Sequence, residues 1–450
     1  MKNAVGKRRK ELPRRKSALL FACIFCFLAV IFPSAAEPVS EVSAPDASSC
    51  FGFALYETQS GRLLFGKNYD EPIRPGPTVK LMTGLIACEK FGDDPEGEVT
   101  VPERALLNVS GRAAGLSPGQ KIKKKELVTL LLSGGFNDAA SAVAVIVGGE
   151  AESFVDLMND RALRLGMYST AYRNATGLDD DMMHTTVRDT VALAEAASGN
   201  EMFLECSGKA SFTYMLASGE KKTAKNPNIL LSDRTEYYCR SARGMNAGYT
   251  DGAGYCAVTF AAYKGASYVC VAMGGNSEEN KHFALIQDSL QWAFDSYFRR
   301  TVMEEKEKVG SIPISLSDSG SEVGLMIAKD LTVLESSVGE WKSYTFSRRD
   351  LDDGLKAPVK VGDRVGYMTA WDGDRLVGVT DITVVSDVAK SPVLSAIEGL
   401  KGYITGRAFR ATLVCAVLLI VALFAVPQIA LAIRQRRRKY VRHRGGFNLK

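Results

Sequence analysis

The sequence predicts an α/β domain in which the first and last strands of one sheet flank a large helical insertion. A small all-β domain and one C-terminal transmembrane helix are predicted to follow. Strand-like segments precede and follow a long stretch, residues 78–200, whose apolar residues recur at spacings of three and four. Short alternating runs with turn residues occupy residues 308–388. Residues 411–433 carry no charge and are long enough to cross a bilayer as a helix.

A β-hairpin is predicted to open the folded body. The segments FGFALYE and RLLFGKN, joined by the turn TQSG, span residues 51–68 and are rich in β-favouring residues. Strands return after the helical stretch in GYCAVTFAAYKG and SYVCVAMGG, which lie within residues 254–275. An amphipathic helix, residues 282–298, closes this domain, and residues 389–410 are predicted to link the all-β domain to the membrane span.

Basic charge is concentrated at the two ends of the chain. The whole sequence has 56 Lys and Arg against 51 Asp and Glu, a net charge of +5. Residues 1–16 contain eight Lys and Arg and one Glu, while residues 434–450 contain eight Lys and Arg and no acid. The body between them therefore has 40 basic and 50 acidic residues. An acidic body argues against nucleic acid as its partner.

Residues 1–36 have the three parts of a secretory signal peptide. A basic segment precedes a charge-free apolar run, residues 18–32, and then small residues that end at Ala36. Cleavage after Ala36 is expected. An uncleaved anchor is the alternative, although the apolar run is shorter than the ~20 residues that a span requires. Residues 37–49 are small, polar and proline-containing, and they are predicted to form a flexible linker.

The C-terminal end predicts attachment to a membrane. As a helix, residues 411–433 would be about 34 Å long, against a hydrocarbon core of about 30 Å. The basic block RQRRRKYVRHR follows at once, and such a block marks the cytoplasmic side. The expected topology is a single-pass membrane protein with its body outside the cytoplasm and residues 434–450 as a cytoplasmic tail.

The cysteines and histidines predict neither a metal site nor another cofactor. Six cysteines belong to the body: Cys50, Cys88, Cys206, Cys239, Cys256 and Cys270. An even number in an exported protein permits disulfides, so these residues are either buried apolar side chains or form one or two bridges. The chain has three histidines, and neither His184 nor His282 has ligand-like neighbours in the sequence.

The segment RPGPTVKLMTGLIACE, residues 74–89, resembles the first motif region of the serine-type D-alanyl-D-alanine carboxypeptidases. These are the low-molecular-mass penicillin-binding proteins that trim peptidoglycan stem peptides. The resemblance covers roughly residues 50–300 and continues through ELVTLLLSGGFNDAA, NATGLDDDMMHTTVRDTVALAE, NPNILL and MNAGYTDGAGYC. LKAPVKVGDRVGY resembles the accessory C-terminal domain of the family. The resemblance implies the penicillin-binding/β-lactamase-like transpeptidase fold, an antiparallel sheet flanked by helices with a helical insertion.

The resemblance also assigns catalytic positions in two helical motifs. The first motif is a serine followed three residues later by a lysine, which lets the nucleophile contact its base on one helix face. Lys80 is present, but Pro77 occupies the serine position. The second motif is serine, any residue, asparagine. Asn137 is present, but Gly135 occupies the serine position.

The third motif of the family is lysine, threonine or serine, and glycine, on a strand that lines the cleft. Here Asn246 and Ala247 replace the first two residues. Gly248 remains and allows a ligand to approach the backbone closely. Thr250 also matches the family, so the resemblance implies that Gly248 and Thr250 contact substrate.

Four of the six defining side chains are replaced, which predicts a catalytically inactive pseudoenzyme. Groups of a catalytic unit act non-additively, and loss of the nucleophile alone costs orders of magnitude in rate. The expected protein is a peptidoglycan-binding or regulatory module of the cell envelope, with a stem peptide as its ligand and an unknown protein partner. Lys80 and Asn137 then persist as scaffolding, with Lys80 paired to the Asn137 amide oxygen, or they keep a role in ligand binding.

Two alternatives remain open at this stage. The first is an active carboxypeptidase that uses a displaced hydroxyl, either Thr78 or Ser133. Thr78 is one residue beyond the serine position at Pro77, so it is rotated by about 100° about the helix axis, away from the face of Lys80. Ser133 comes before the serine position of the second motif, which is Gly135. The second alternative is a structural partner of wall-synthesis or division proteins that does not use its cleft.

Overall fold

The computed structural model describes residues 44–276, 280–337 and 341–444. The predicted signal peptide, the first seven residues of the predicted linker and the last six residues of the predicted tail lie outside these ranges. The chain forms two compact units. The first contains the described residues up to Arg300 together with Leu334–Lys342, and the second contains Thr301–Val333 and the residues from Ser343 onward.

The first unit is built on a five-stranded sheet. Its strands are β1 (Cys50–Glu57), β2 (Arg62–Lys67), β7 (Ala242–Thr250), β8 (Gly254–Tyr263) and β9 (Ala266–Gly275). They are arranged in the order β2-β1-β9-β8-β7, and every neighbouring pair is antiparallel. The predicted hairpin is present as β1 and β2, and β9 pairs with β1. The strands before and after the helical insertion therefore lie side by side, and the predicted fold class is confirmed.

The insertion between β2 and β7 is mainly helical, and one further helix follows β9. The helices are α1 (Val79–Phe91), α2 (Lys124–Leu132), α3 (Asn137–Gly148), α4 (Ala151–Arg164), α5 (Val187–Ser198), α6 (Glu201–Ser207) and, after the sheet, α7 (Lys281–Ser296). Two small antiparallel pairs lie within the insertion: β3 (Glu98–Thr100) with β4 (Lys121–Lys123), and β5 (Ser211–Met215) with β6 (Lys221–Lys225).

Alternation along the strands divides the apolar residues between the two faces of the sheet. Val258 and Val271 belong to the core that the insertion covers, whereas Ala257 and Ala272 belong to the core under α7. Helix α1 lies inside the first of these cores and is apolar on nearly every side, as expected for a fully buried helix. A Cβ atom at Gly84 would lie 2.5 Å from Leu132 Cδ2, so glycine lets α1 approach α2 closely.

The six body cysteines are free thiols in this structure. Burial is the main cause that raises the pKa of the thiols of Cys50, Cys88, Cys206, Cys256 and Cys270. Of the two predicted possibilities, the structure favours cysteines that act as small buried apolar residues.

The second unit contains a mixed, mainly antiparallel sheet. Its elements, with the two strands that span the boundary between the units, are β10 (Tyr297–Met303), β11 (Lys308–Ser315), β12 (Glu322–Ile327), β13 (Leu331–Ser336), β14 (Thr345–Asp350), β15 (Leu355–Lys356), β16 (Arg364–Asp372) and β17 (Arg375–Val384). Six of them form a sheet in the order β14-β16-β17-β12-β11-β15, in which only β11 and β15 are parallel. Leu325, Ile327 and Ile382 are fully buried in its core.

Two helices end the described chain: α8 (Pro392–Thr405) and α9 (Arg407–Arg444). The predicted linker is largely helical because Ser391 caps α8, accepting a hydrogen bond from the Leu394 N–H at 3.3 Å, and Pro392 suits the first turn. Within α9, Phe409–Arg437 is 29 residues long and contains an 18-residue stretch with a mean hydropathy of 2.7. By length and composition, this segment is able to cross a membrane.

Candidate functional site

The cleft begins at the turn that leads into α1. Gly76 has φ of +49°, and a Cβ atom there would lie 2.5 Å from Ala253 Cβ, so glycine is required. Pro77 follows in a short 3-10 turn, where a residue without an N–H donor is well suited. On β7, a Cβ atom at Gly248 would lie 2.9 Å from Pro77 Cβ. The position expected to carry the nucleophile is therefore an apolar ring packed against β7.

Lys80 lies at the start of α1 and is only 6% exposed. Its Nζ donates a hydrogen bond to the carbonyl oxygen of Thr176. Asn174 holds that carbonyl in place, because its Oδ1 accepts hydrogen bonds from the N–H of Thr176 at 3.1 Å and of Gly177 at 2.8 Å. Burial, and then the positive charge of Arg112, lowers the pKa of Lys80 to about 7. At neutral pH, the amine is therefore divided between its charged and neutral forms.

Asn137 is the first residue of α3 and holds a neighbouring loop. Its N–H donates to the carbonyl oxygen of Arg112 at 2.7 Å, and its Nδ2 donates to the carbonyl oxygen of Ser110 at 2.8 Å. The expected pair between Lys80 and the Asn137 amide oxygen is therefore wrong. The loop at Asn174 presents a backbone carbonyl to Lys80, while the Asn137 side chain is used to clamp residues 110–112.

The two hydroxyls considered as displaced nucleophiles are engaged elsewhere. Ser133 is fully buried, and its Oγ donates to the carbonyl oxygen of Cys206 at 2.7 Å. Thr78 Oγ1 donates to the carbonyl oxygen of Pro75 at 2.7 Å. Neither side chain is among the residues that line the cleft. Gly135, at the expected serine position, does line it, with a left-handed φ of +65°.

The strand side of the cleft carries an unsatisfied amide. Asn246 pairs in register with Val258 and so faces the helical insertion. It is 1% exposed, and neither Oδ1 nor Nδ2 has a hydrogen-bond partner among the described residues. Leaving a buried polar group unpaired costs roughly 1–3 kcal/mol. Further along β7, Thr250 Oγ1 donates to Asp179 Oδ1 at 2.7 Å.

These elements enclose a cleft of about 260 Å³. Its lining residues are Pro77, Lys80, Gly111, Arg112, Gly135, Asn137, Thr176, Gly177, Leu178, Pro227, Ala247, Gly248, Tyr249 and Thr250. The structure thus brings together seven of the eight site positions named from the sequence. Asn246 is the exception, because its side chain lies beneath the cleft rather than on its wall.

Seven lining residues were not predicted from the sequence, and two of them, Thr176 and Arg112, present a polar group that bears on the chemistry of the cleft. Thr176 contributes a backbone carbonyl, which every residue type has, so its identity carried no signal. Arg112 contributes a guanidinium, and its signal is a lone cation between small residues in SGRAAG. Arg112 Nη2 donates to the carbonyl oxygen of Lys225 at 3.0 Å, and the guanidinium lies 5.1 Å from the centre of the Phe136 ring. Burial lowers the pKa of Arg112. An arginine side chain nevertheless stays cationic in proteins.

Comparison with known families matches both units of the chain. A family model described as "D-alanyl-D-alanine carboxypeptidase" matches residues 39–277. A second, described as "Penicillin-binding protein 5, C-terminal domain", matches residues 297–390.

Curated relatives and solved structures agree with these matches. The D-alanyl-D-alanine carboxypeptidase DacF of Bacillus subtilis is 23% identical over 354 residues, covering 77% of this chain and 88% of the relative. DacD of Salmonella typhimurium is 25% identical over 392 residues, covering 84% and 97%. Penicillin binding protein 5 from Haemophilus influenzae has a TM-score of 0.60 at 22% identity, covering 78% of this chain and 100% of that chain. A peptidoglycan synthesis regulatory factor (PBP3) from Streptococcus pneumoniae has a TM-score of 0.66 at 20% identity, covering 76% and 99%.

Proposed function

Because this chain belongs to the D-alanyl-D-alanine carboxypeptidase family, we propose that it is a non-catalytic member that binds peptidoglycan stem peptides at the outer face of a membrane. It holds such a peptide in the cleft beside α1 without cleaving it. The protein then acts as a binding or regulatory module of the cell envelope.

The observation that carries this proposal is the absence of a free hydroxyl opposite Lys80 among the described residues. Acyl transfer requires a nucleophile in contact with its base, and Pro77 supplies none. Three hydroxyl-bearing residues line the cleft, but Thr176 Oγ1 donates to Asn174 Oδ1 at 3.0 Å, Thr250 Oγ1 donates to Asp179, and the Tyr249 hydroxyl is hydrogen-bonded to Asp251. These engaged hydroxyls argue against the alternative of an active enzyme with a displaced nucleophile.

Peptide binding is supported by the position of β7 in the sheet. β7 is the last strand of the order β2-β1-β9-β8-β7, so its outer backbone groups have no partner strand within that sheet. An extended peptide binds such an edge by adding a strand, with backbone hydrogen bonds for affinity and side-chain pockets for specificity. Gly248 on β7 lines the cleft and lets a peptide backbone come close.

Membrane attachment follows from α9 in the same proposal. Phe409–Arg437 contains an apolar stretch long enough to span a bilayer, and Arg434 begins a basic cluster at its end. Basic residues remain on the cytoplasmic side. This charge distribution supports a topology in which the body lies outside the cytoplasm, where stem peptides are found.

The test uses the full chain in detergent micelles with a stem pentapeptide that ends in D-Ala-D-Ala. Calorimetry is expected to detect binding, while an assay for free D-alanine detects no release over many hours. Release of D-alanine that depends on the protein would contradict the proposal. A lack of binding would also contradict it and would leave a structural role that does not use the cleft.

A further inference from the structure

Arg112 gives the cleft a positive charge that belongs to none of the three sequence motifs. Its side chain lines the cleft, and its contacts are the Lys225 carbonyl and the Phe136 ring. No ion pair joins it to a carboxylate among the described residues. The guanidinium has five N–H donors, so most of its hydrogen-bonding capacity remains available to a ligand.

Among the residues that the structure describes, no acidic residue lines the cleft to balance Arg112 and Lys80. The acids on neighbouring elements have other partners. Asp138 on α3 accepts hydrogen bonds from the backbone N–H groups of residues 114, 115 and 116 at 2.8–3.0 Å. Asp179 accepts from Thr250 and from the Gly252 N–H at 2.8 Å. The Arg112 guanidinium and the partly protonated Lys80 amine therefore face one small space, and an anion placed there would be attracted by the guanidinium and would favour the charged form of Lys80.

The loop that carries Arg112 is held rigidly by Asn137. Asn137 donates hydrogen bonds to the carbonyl oxygens on both sides of Gly111, those of Ser110 and Arg112. Gly111 has φ of +79°, and a Cβ atom there would lie 2.8 Å from Asn137 Nδ2. The backbone from which Arg112 projects is thus held before a ligand arrives, and the Lys225 carbonyl and the Phe136 ring orient the guanidinium, which lowers the entropic cost of binding.

We propose that Arg112 binds the C-terminal carboxylate of the peptide in the cleft, taking over the role that Asn246 and Ala247 no longer serve. This inference rests on the proposed stem-peptide function. The planar guanidinium matches a carboxylate through two parallel hydrogen bonds. The cleft, at about 260 Å³, is smaller than the roughly 300–1,000 Å³ typical of ligand pockets, so it accepts the end of a chain. Asn137 is a positioning residue for Arg112 in this arrangement.

The first experiment compares two ligands on the unaltered full chain in detergent. One is the pentapeptide ending in D-Ala-D-Ala with a free carboxylate, and the other is its C-terminal amide. The acid is expected to bind at least about tenfold more tightly, because charge-assisted bidentate bonds are among the strongest hydrogen bonds. Equal affinities for acid and amide would overturn the inference.

The second experiment assigns the preference to Arg112. Arg112→Gln is expected to bind acid and amide alike, and Arg112→Lys, which keeps the charge but loses the planar fork, is expected to recover part of the preference. Arg164→Gln is the control, because Arg164 is an exposed residue at the end of α4. Preference for the acid that survives in Arg112→Gln would overturn the inference.

A small probe separates this inference from the proposed function. N-acetyl-D-alanine and its amide carry the terminal group without the rest of the stem peptide. If the pentapeptide fails to bind while N-acetyl-D-alanine binds, its amide does not, and binding needs Arg112, then Arg112 is a carboxylate site and only the stem-peptide function fails. If the pentapeptide acid and amide bind equally well, the function stands while the inference fails. If neither the pentapeptide nor N-acetyl-D-alanine binds, both are overturned.

Discussion

The two sides of the cleft accommodate their polar residues differently. On the helix side, Lys80 and Asn137 donate hydrogen bonds to the backbone carbonyls of Thr176 and Ser110. On the strand side, Asn246 is buried with both amide atoms unpaired among the described residues. The first arrangement satisfies its polar groups, and the second leaves a donor and an acceptor without partners.

This difference shows that a polar residue in the cleft is not by itself a sign of chemistry. A satisfied group stabilises the loops around it, whereas an unsatisfied group destabilises the fold by its presence. Lys80 combines both situations, because its amine has a carbonyl partner while its lowered pKa shows that burial disfavours the charge. Whether a mutation lowers or raises the free energy of unfolding therefore distinguishes a residue that supports the fold from one that is only left over from a catalytic site.

The largest loss of stability is expected from a substitution in the loop that supports Lys80, on the helix side of the cleft. In Gly177→Ala, the new Cβ would lie 2.1 Å from the Gly76 carbonyl oxygen, at φ of +80°. The free energy of unfolding should fall by about 3–5 kcal/mol, combining the clash with the strain of the left-handed backbone. Gly166→Ala is the control, with φ of +76° and open space around the Cβ. Denaturant unfolding that gives equal losses for both variants would show that the loop is not packed tightly on the turn.

Lys80→Met comes next, and it tests whether Lys80 stabilises its side of the cleft. The pKa of Lys80 is about 7 in the folded protein against a usual 10.5. The unfolded chain therefore binds more protons between these values, and stability is lost as the pH falls from 10.5 through 7. At pH 7 the methionine variant should be more stable than the natural chain by about 2–3 kcal/mol, after the loss of one hydrogen bond.

The same pKa difference determines how the stability gain of Lys80→Met depends on pH. That dependence shows whether burial of the Lys80 charge causes the gain. The advantage of Lys80→Met should shrink as the pH rises toward 10.5, measured by denaturant unfolding at several pH values. Lys67→Met is the control, because Lys67 is only partly buried and donates to two backbone carbonyls at 2.7 and 2.8 Å. It should destabilise the chain. A Lys80→Met variant that is less stable than the natural chain at pH 7 would make Lys80 a scaffold residue instead.

A smaller effect is expected from replacing two buried amides, Asn246 and Asn226. The stability changes of the two variants should have opposite signs. Asn246→Val removes two unpaired polar atoms and places a β-favouring residue in β7, so stability should rise by about 1–2 kcal/mol. Asn226→Val is the matched control, because Asn226 Nδ2 donates to the carbonyl oxygens of Ser207 and Lys209 at 3.0 and 3.1 Å. Its stability should fall. A loss of stability in Asn246→Val would contradict the finding that the Asn246 amide has no hydrogen-bond partner among the described residues.

The smallest expected effect concerns the second motif. Gly135→Ser places a side chain at φ of +65° and should cost about 1 kcal/mol. Its Cβ would lie 3.3 Å from Pro227 Cγ, whereas Gly119→Ser, at φ of +75°, meets open space. A slightly larger loss at Gly135 than at Gly119 is expected by thermal unfolding. A gain in stability at Gly135 would contradict the strain described for this turn.

The fold was largely predictable because its signals are local and periodic. Apolar spacings of three and four identified the helical insertion, and FGFALYE and RLLFGKN identified the hairpin. The helix Pro392–Thr405 was not predicted. Its apolar residues Val393, Ile397, Leu400 and Ile404 recur at helical spacings and are exposed along one face, so the sequence carried a helical pattern there that the predicted linker did not use.

The site was predictable in its positions and not in its contacts. Seven of eight named positions line the cleft, because the motif spacings fix which elements they belong to. The acceptor of Lys80 is a backbone carbonyl, whose direction depends on the turn at Asn174 and not on the identity of Thr176. Arg112 enters the cleft from a loop whose path is set by Asn137, a tertiary relationship that spacing along the chain does not contain.

Covalent labelling with a tagged penicillin tests the central claim most directly. The natural full-length chain is compared with a variant that carries Pro77→Ser, Gly135→Ser, Asn246→Lys and Ala247→Thr together. We expect no covalent adduct on the natural chain and an adduct at position 77 of the variant, because the scaffold is intact and only the reacting groups are missing. An adduct of the natural chain that survives denaturation would contradict the account.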